Sequence, residues 1–393
     1  MSRPPLRASA DLARLANEGF DLDLVGGELV VRQVPFLDAE GRVRFGNLMM
    51  HLSLAGDETV APRGHIAHFG PGTPCDGKGK RLEMLHPYSA TERGGGLVSH
   101  HMVCTIPLQG SFVDHYAMVT TMVDQIEAPV RAIYPAVSAR SPRSRTAAPG
   151  GVSPFRNIDT ASARAGIGAF AERLSSLSIG IVGCGGTGGY LLDLISKTPV
   201  RRIHLWDDDV VEQHTPFRWP GVATASHVRK RPAKVDHLTA VYGSFHRGIV
   251  PHRERLDAHN VAVLRHMDFV FLAMDSGAAR RPVVEFLDSA GKPYIDCGMG
   301  LHVTPMGLDG IVRVTTSTRE RRGHVADRIP MSDGGEDDPY STNIQVADLN
   351  CLNAALAVVR WKRHYGFYAD SGREHFSAFM IDGNTLVNED QAN

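Results

Sequence analysis

Lysine is scarce in this 393-residue chain, seven residues against thirty-five arginines, so a lysine at a special place stands out. Net charge is almost absent as well: 43 Asp plus Glu face 42 Lys plus Arg, a formal charge of −1. Non-specific binding of nucleic acid needs a basic field and a polybasic anchor needs a run of cations, so neither nucleic acid nor a membrane is expected as a partner. No stretch reaches the roughly 18 apolar residues that a membrane helix requires. The first twenty residues, MSRPPLRASADLARLANEGF, lack an apolar h-region, so no secretory signal is expected. Cysteines stand at 75, 104, 184, 297 and 351, with no C-x-x-C pair. That excludes a four-cysteine zinc knot, and an odd number at wide spacing fits a reducing cytoplasm better than a disulfide scaffold.

What is present fits a folded protein. Hydrophobic residues make 42% and charged residues 22%, which rules out intrinsic disorder. The length exceeds what one core normally serves, so two domains are expected. Residues 138–157, rich in Ser, Pro, Arg and Gly, read as a linker between an N-terminal domain at 1–137 and a second domain at 158–393. The first domain has a β bias. Leu29 to Val31 and Val34 to Leu37 flank an extended region, Asp38-Ala39-Glu40-Gly41 is a turn, and alternation resumes at Arg42. Residues 115–126 have helical spacing. The second domain alternates short apolar runs at 178–182, 202–206, 269–273 and 293–296 with helical patterns at 188–196, 234–242 and 279–289. A further helical stretch covers 344–360. This alternation predicts an α/β fold, a Rossmann-like domain with a mostly parallel sheet, preceded by a smaller β-biased α+β domain.

Gly183-Cys184-Gly185-Gly186-Thr187-Gly188 follows the strand at 178–182 and opens a helix. Glycines there let the backbone turn sharply and approach a phosphate, while the helix N-terminus offers free N–H groups. Asp207 ends the next strand, where an acid can accept both ribose hydroxyls. Arg218, Lys234 and Asp275 then follow in order. A dehydrogenase has little need of that set. An adenylating enzyme has: two cations for the polyphosphate and a strand-end carboxylate for Mg²⁺. Each also has a plain reading, Arg218 and Lys234 as solvated charges and Asp275 as a helix N-cap.

The pattern Gly183-x-Gly185-Gly186-x-Gly188, the Asp207 to Arg218 spacing, Lys234 and Asp275 resemble the ThiF/MoeB/E1-like adenylating enzymes over roughly residues 158–393. The resemblance is to the bacterial type with an uncharacterised N-terminal domain. His214-x-x-Phe217-Arg218-x-Pro220-Gly221, residues 246–252 and residues 343–350 carry that narrower likeness. It implies ATP and Mg²⁺ as cofactors, with Gly183, Gly185, Gly186 and Gly188 on the phosphates and Asp207 on the ribose. Arg218 and Lys234 would neutralise phosphate, and Asp275 would hold Mg²⁺. Arg164 looks like the arginine that family members send into the phosphates, often across a dimer interface. The implied substrate is the C-terminal carboxylate of a ubiquitin-like protein, with an E2-like protein as a further partner, a homodimer as the assembly, and conjugation or anti-phage defence as the context. An alternative is a superfamily enzyme acting on another carboxylate or on tRNA, or a catalytically decayed E1-like scaffold.

Two residues depart from the family's pattern: Thr215 stands for the usual Asn and Trp219 for the usual Gln. No cysteine lies in the crossover segment 317–342, where full E1 enzymes carry theirs. That segment has a basic end (Arg319, Arg321, Arg322) and an acidic one (Asp333, Glu336, Asp337, Asp338); the resemblance implies that it guides the partner's tail, and an unrelated charged loop is the alternative reading. Within the second domain Cys297, just past a strand, is the candidate thioester cysteine, although its glycine-turn context favours a small buried hydrophobe. Cys184 is expected to serve by its size, Cys351 to lie in the core, and Cys75 to sit on an exposed turn where it could react. His65, His68, Cys75, His86, His100, His101, Cys104 and His115 have zinc-compatible chemistry, but their spacing matches no ligand signature, so scattered histidines are expected.

Overall fold

Alternating side chains shape the first half of the chain into strands. In the computed structural model, which describes all residues except 1–8, 108–109, 141–152, 158, 160, 163–166, 334–343 and 392–393, the chain divides into two compact units. One comprises Met1–Val152 with Asn157–Glu172, the other Ser153–Arg156 with Arg173–Asn393. Among the described residues no helix is long and apolar enough to cross a membrane.

The first unit is built on β1 (Asp21–Val25), β2 (Glu28–Leu37), β3 (Val43–His51), β6 (Ile66–Gly70), β7 (Leu85–Gly94) and β8 (Leu97–Cys104). They form one antiparallel sheet in the order β1-β2-β3-β6-β8-β7, and the short β4 (Leu54–Ala55) and β5 (Glu58–Thr59) pair separately. The two apolar runs expected to flank an extended region are one strand, β2, with a bulge between Val31 and Val34 where Gln33 has φ +57°. The extra residue keeps Leu29, Val31, Val34 and Phe36 on the same buried face, which an unbroken period of two could not do. That face packs against α1 (Ala10–Asn17) and α2 (His115–Ile133). Asp114 caps α2 by accepting the Ala117 N–H at 2.7 Å. The helix runs through Pro129 to Ile133, well past the expected end, because Ile126 and Val130 continue the buried stripe.

Two carboxylates tie this unit together. Glu127, fully buried, accepts from Arg131, Ser138, Arg140 and the Ala139 N–H, so residues 138–140 of the expected linker are pinned to α2. Asp11 accepts from the Thr59 hydroxyl and from the backbone N–H of Leu12 (2.8 Å) and His115 (3.1 Å), with His115 Nδ1 at 3.5 Å. Burial alone would raise its pKa, but these donors, led by the His115 side chain, hold it down at about 2. The expected histidines and cysteines are dispersed through this unit: His101 meets Thr73, His115 Nε2 accepts from the Ser53 N–H, and His68 lies against Tyr88. Cys75 is not on an exposed turn. It is buried between the bridges to Leu37 and Arg81, and burial, with Asp76 next, raises its thiol pKa, so the reactive reading does not hold.

In the second unit eight strands form one sheet in the order β11-β10-β9-β12-β13-β14-β15-β16. β9 (Ser178–Val182), β10 (Arg202–Trp206), β11 (Ile249–His252), β12 (Phe269–Leu272) and β13 (Tyr294–Thr304) are parallel. β14 (Gly307–Ser317), β15 (Phe376–Met380) and β16 (Thr385–Glu389) extend the sheet antiparallel. The mostly parallel Rossmann-like α/β fold is thus observed. Alternate residues of each parallel strand enter opposite cores. Ile179, Ile181, Phe269 and Phe271 meet α3 (Gly186–Ile195), α4 (Lys234–Tyr242) and α6 (Ala347–His364), while Val182, Val270 and Leu272 meet α5 (Gly277–Ser289). Residues 153–156 belong here too: Phe155 bridges to His246, and Arg247 donates its N–H to Pro154 O at 2.7 Å.

β13 continues to Thr304 rather than stopping at 296, because β14 pairs with it along its whole length. Cys297 therefore lies inside a strand, next to a buried ionic triad. The fully buried Asp296 has Arg280 Nε at 2.9 Å and Arg313 Nη2 at 3.3 Å. Arg280 also donates to the carbonyls of Met274 and Pro330, and Arg313 to that of Arg328, so the triad anchors both the turn after β12 and residues 328–330 within the crossover segment. Removing one partner of such a cluster leaves an uncompensated buried charge. Arg280→Ala is expected to cost about 3–5 kcal/mol in urea unfolding, and a loss below about 1 kcal/mol would contradict the anchoring role. The Asp11 carboxyl makes a second prediction. With its folded pKa depressed to about 2, its contribution is complete above the unfolded value and is lost as pH falls through the folded one. Asp11→Asn should lower the melting temperature at pH 7 and reduce its decline between about pH 4 and pH 2; parallel curves for the two proteins would sink the assignment.

Candidate nucleotide site

The chain leaves β9 for β10 and β11 on one side and returns to β12 and β13 on the other, so the loop after β9 sits at the point where strand order reverses. Gly183 has φ +89°, and a Cβ there would stand 2.4 Å from Ala273 O, beyond the end of β12. A Cβ on Gly188 would lie 1.9 Å from Gly183 O, and one on Gly186 2.2 Å from Asn350 Nδ2. Gly185 differs: nothing lies within 4 Å of its would-be Cβ. Three of these glycines are demanded by packing, and the fourth presents bare backbone to open space at the N-terminus of α3, as a phosphate-binding turn requires.

Around this loop the structure gathers three of the expected charged residues. Asp207, directly after β10, accepts the Cys184 N–H at 2.6 Å and the Asp209 N–H at 2.9 Å. Burial raises its carboxyl pKa, opposed by Lys234, whose Nζ is 3.8 Å away. Lys234 begins α4 and is nearly buried; its ammonium donates to Asp209 at 2.6 Å, and its backbone N–H to Asp209 O at 3.0 Å. Arg218 ends the short turn Thr215–Phe217 and is half-buried. Its guanidinium lies 3.3 Å from His214 Nε2, and among the described residues no carboxylate pairs with it. Thr215 accepts the Glu212 N–H at 3.1 Å and so closes its own turn.

Asp275 is exposed just beyond β12, and among the described residues its carboxylate makes no hydrogen bond or ion pair. It is not the helix cap: Ser276 accepts the Ala279 N–H, and Asp333 accepts those of Gly277 (2.7 Å) and Ala278 (3.3 Å). A free carboxylate at this place suits a hydrated Mg²⁺ ion. Among the described residues one acidic trio, Asp207, Asp208 and Asp209, brings ligand atoms within 4.8 Å, but the Lys234 ammonium already stands among them.

The crossover segment is docked at both described ends. Arg321 pairs with Asp390, Arg322 with Asp288, and Asp333 with the start of α5. Glu336, Asp337, Asp338 and Arg164 lie outside the described residues. Cys184 and Cys297 are buried, and burial pushes both thiols well above their ordinary pKa, with Asp207 and Asp296 adding to it. The surroundings of Cys297 give the thioester expectation no support. Cys351, expected in the core, is exposed on α6, because the buried stripe of that helix passes through Asn350, Asn353 and Ala354 instead.

Three participants were not singled out from the sequence. Asn350 accepts the Thr187 hydroxyl at 2.8 Å, and Asp209 holds Lys234. Trp219, which reads in sequence only as a departure, is buried and sends its indole N–H to the carbonyls of Cys184 (3.0 Å) and Gly185 (2.8 Å). The Asp-Asp-Asp run offered a signal for Asp209. Asn350 ends the segment 343–350 that carries the narrower likeness, whereas the contact of Trp219 with the loop joins residues far apart in the chain and left no signal.

Residues 157–337 match the ThiF family, and residues 10–160 match a domain of unknown function, DUF6791. No curated protein matches the chain in sequence. Among solved structures it is similar to E. coli MccB with ATP, at 15% identity and TM-score 0.45, covering 61% of this chain and 72% of that one. The microcin C7 biosynthetic enzyme MccB in complex with N-formylated MccA is similar at 16% and 0.45, covering 57% and 67%. PaaA is similar at 16% and 0.44, covering 56% and 75%. The sequence match covers the glycine loop after β9, Asp207 after β10, Lys234 and Asp275, and residues 157–337 are a ThiF family domain.

Proposed function

We propose that this protein adenylates a carboxylate with ATP, and that the carboxylate is the C-terminal one of a ubiquitin-like protein. The observation that carries the reading is the gathering, around the open backbone of Gly185, of Asp207, Lys234 and a half-buried arginine, Arg218, with no acidic partner among the described residues. The ThiF family match supports it.

The first N–H groups of α3 receive the polyphosphate and Asp207 the ribose. Arg218 offers its unneutralised charge to the phosphates, and Lys234 exchanges Asp209 for phosphate when nucleotide enters. Asp275 would hold Mg²⁺, which screens the charge on the phosphate oxygens. A carboxylate oxygen of the substrate attacks the α-phosphorus, the bond to the bridging oxygen breaks, and pyrophosphate leaves. No base is needed because the nucleophile is already ionised at neutral pH. Much of the rate then comes from holding the two anions in line. Arg164 delivered by a partner copy in a homodimer, an E2-like acceptor, a cytoplasmic setting and a role in conjugation or defence belong to the same proposal, and rest on the resemblance of residues 158–393.

ATP–pyrophosphate exchange tests it. Exchange should appear with the carboxylate substrate and fall about 10²–10³-fold in Asp275→Asn and Lys234→Ala. Asp275→Asn, at an exposed position, should melt within a few degrees of the wild type. Full exchange in either variant would defeat the mechanism. ATP binding without exchange on any carboxylate would make the domain a scaffold, and NAD binding without ATP binding would make it a dehydrogenase.

A further inference from the structure

We propose that Trp219 is a positioning residue that aims the phosphate loop and ties it to the segment carrying Arg218; the proposal rests on the nucleotide reading of that loop. The indole N–H is shared between the carbonyls of Cys184 and Gly185, at 3.0 and 2.8 Å. In a trans peptide the C=O and the following N–H point in opposite directions. Drawing those two carbonyls towards the indole therefore turns the N–H groups of Gly185 and Gly186 away from the ring. The preceding peptide is held from the other side by Asp207, which takes the Cys184 N–H at 2.6 Å.

The ring is itself fixed. Trp219 is 4% exposed and stacks on His237 of α4, with centroids 5.4 Å apart and planes 10° apart. His237 Nδ1 lies 2.6 Å from His227 Nε2. Gly189 makes room for the indole, since a Cβ there would stand 3.0 Å from Trp219 Cδ1. One side chain thus meets the loop directly, meets through its ring the helix that begins at Lys234, and follows Arg218 in the chain by a single peptide bond. A glutamine, the residue usual at this place in the family that the sequence resembles, can donate N–H as well, so the departure at 219 keeps the donor while changing the body.

The test uses the full chain with Trp219→Phe, which removes the N–H and keeps a ring, and Trp219→Gln, which keeps a donor. Amide hydrogen exchange over residues 183–189 without nucleotide and ATP affinity by calorimetry are read together. Trp219→Phe should speed loop exchange and weaken ATP binding about tenfold each, the scale of one lost hydrogen bond, while peptides elsewhere in the unit stay protected; Trp219→Gln should recover most of both. Wild-type loop exchange in Trp219→Phe overturns the proposal. So does a loss of protection spread evenly over residues 173–391 without recovery in Trp219→Gln, which would make the residue core packing. Wild-type protein that binds no ATP removes the nucleotide reading, and loop exchange then decides the positioning role alone.

Discussion

The nucleotide end of the second unit depends on how closely two backbones approach. Gly183 leaves β9 so near the end of β12 that a single methyl group would collide with Ala273 O, and Gly188 closes the loop back on Gly183 O. That contact sets where α3 begins, and so where its free N–H groups face. It also brings the ends of β9 and β12 into register, which places Asp275 beyond one strand and the loop beyond the other. Any side chain at 183 would have to separate the strands or reverse the turn.

Charge is arranged around this constraint in two ways. Asp296, Arg280 and Arg313 are buried and mutually compensated, and they hold backbone: the carbonyls of Met274, Arg328 and Pro330. Burial of such a group is tolerable only because every charge has a partner. The cations of the site are left less complete. Arg218 has no carboxylate partner among the described residues, and Lys234 is held by an acid whose side chain is 68% exposed. One cluster makes a rigid floor, and the other leaves charge available to an anion.

Local pattern carried much of this into view. The alternation of apolar runs and helical spacing in the second half and the glycine loop are short-range features, and the structure places the loop between β9 and α3, Asp207 directly after β10, Lys234 at the start of α4, and Asp275 beyond the end of β12 rather than closing it. Failures followed range. β13 overran its expected end because β14, more than ten residues on, supplies its hydrogen bonds. Cys75 and Cys351 exchanged their expected exposures because bridges and helix phase, rather than neighbouring residues, decide which atoms meet water. Trp219 read as a loss and is a hydrogen-bond donor to the loop.

By itself the sequence determined which backbone could turn at 183–188, where helices and strands alternate, and which ionisable groups stand at strand ends, because these follow from steric limits and periodicity within a few residues. Only the tertiary structure decided that Lys234 rests on Asp209, that Asp333 rather than Asp275 joins Ser276 in capping α5, and that the Trp219 indole donates to carbonyls of the glycine loop. Those pairings join residues that are distant along the chain, and such contacts exist only once the packed cores have fixed the strand ends side by side.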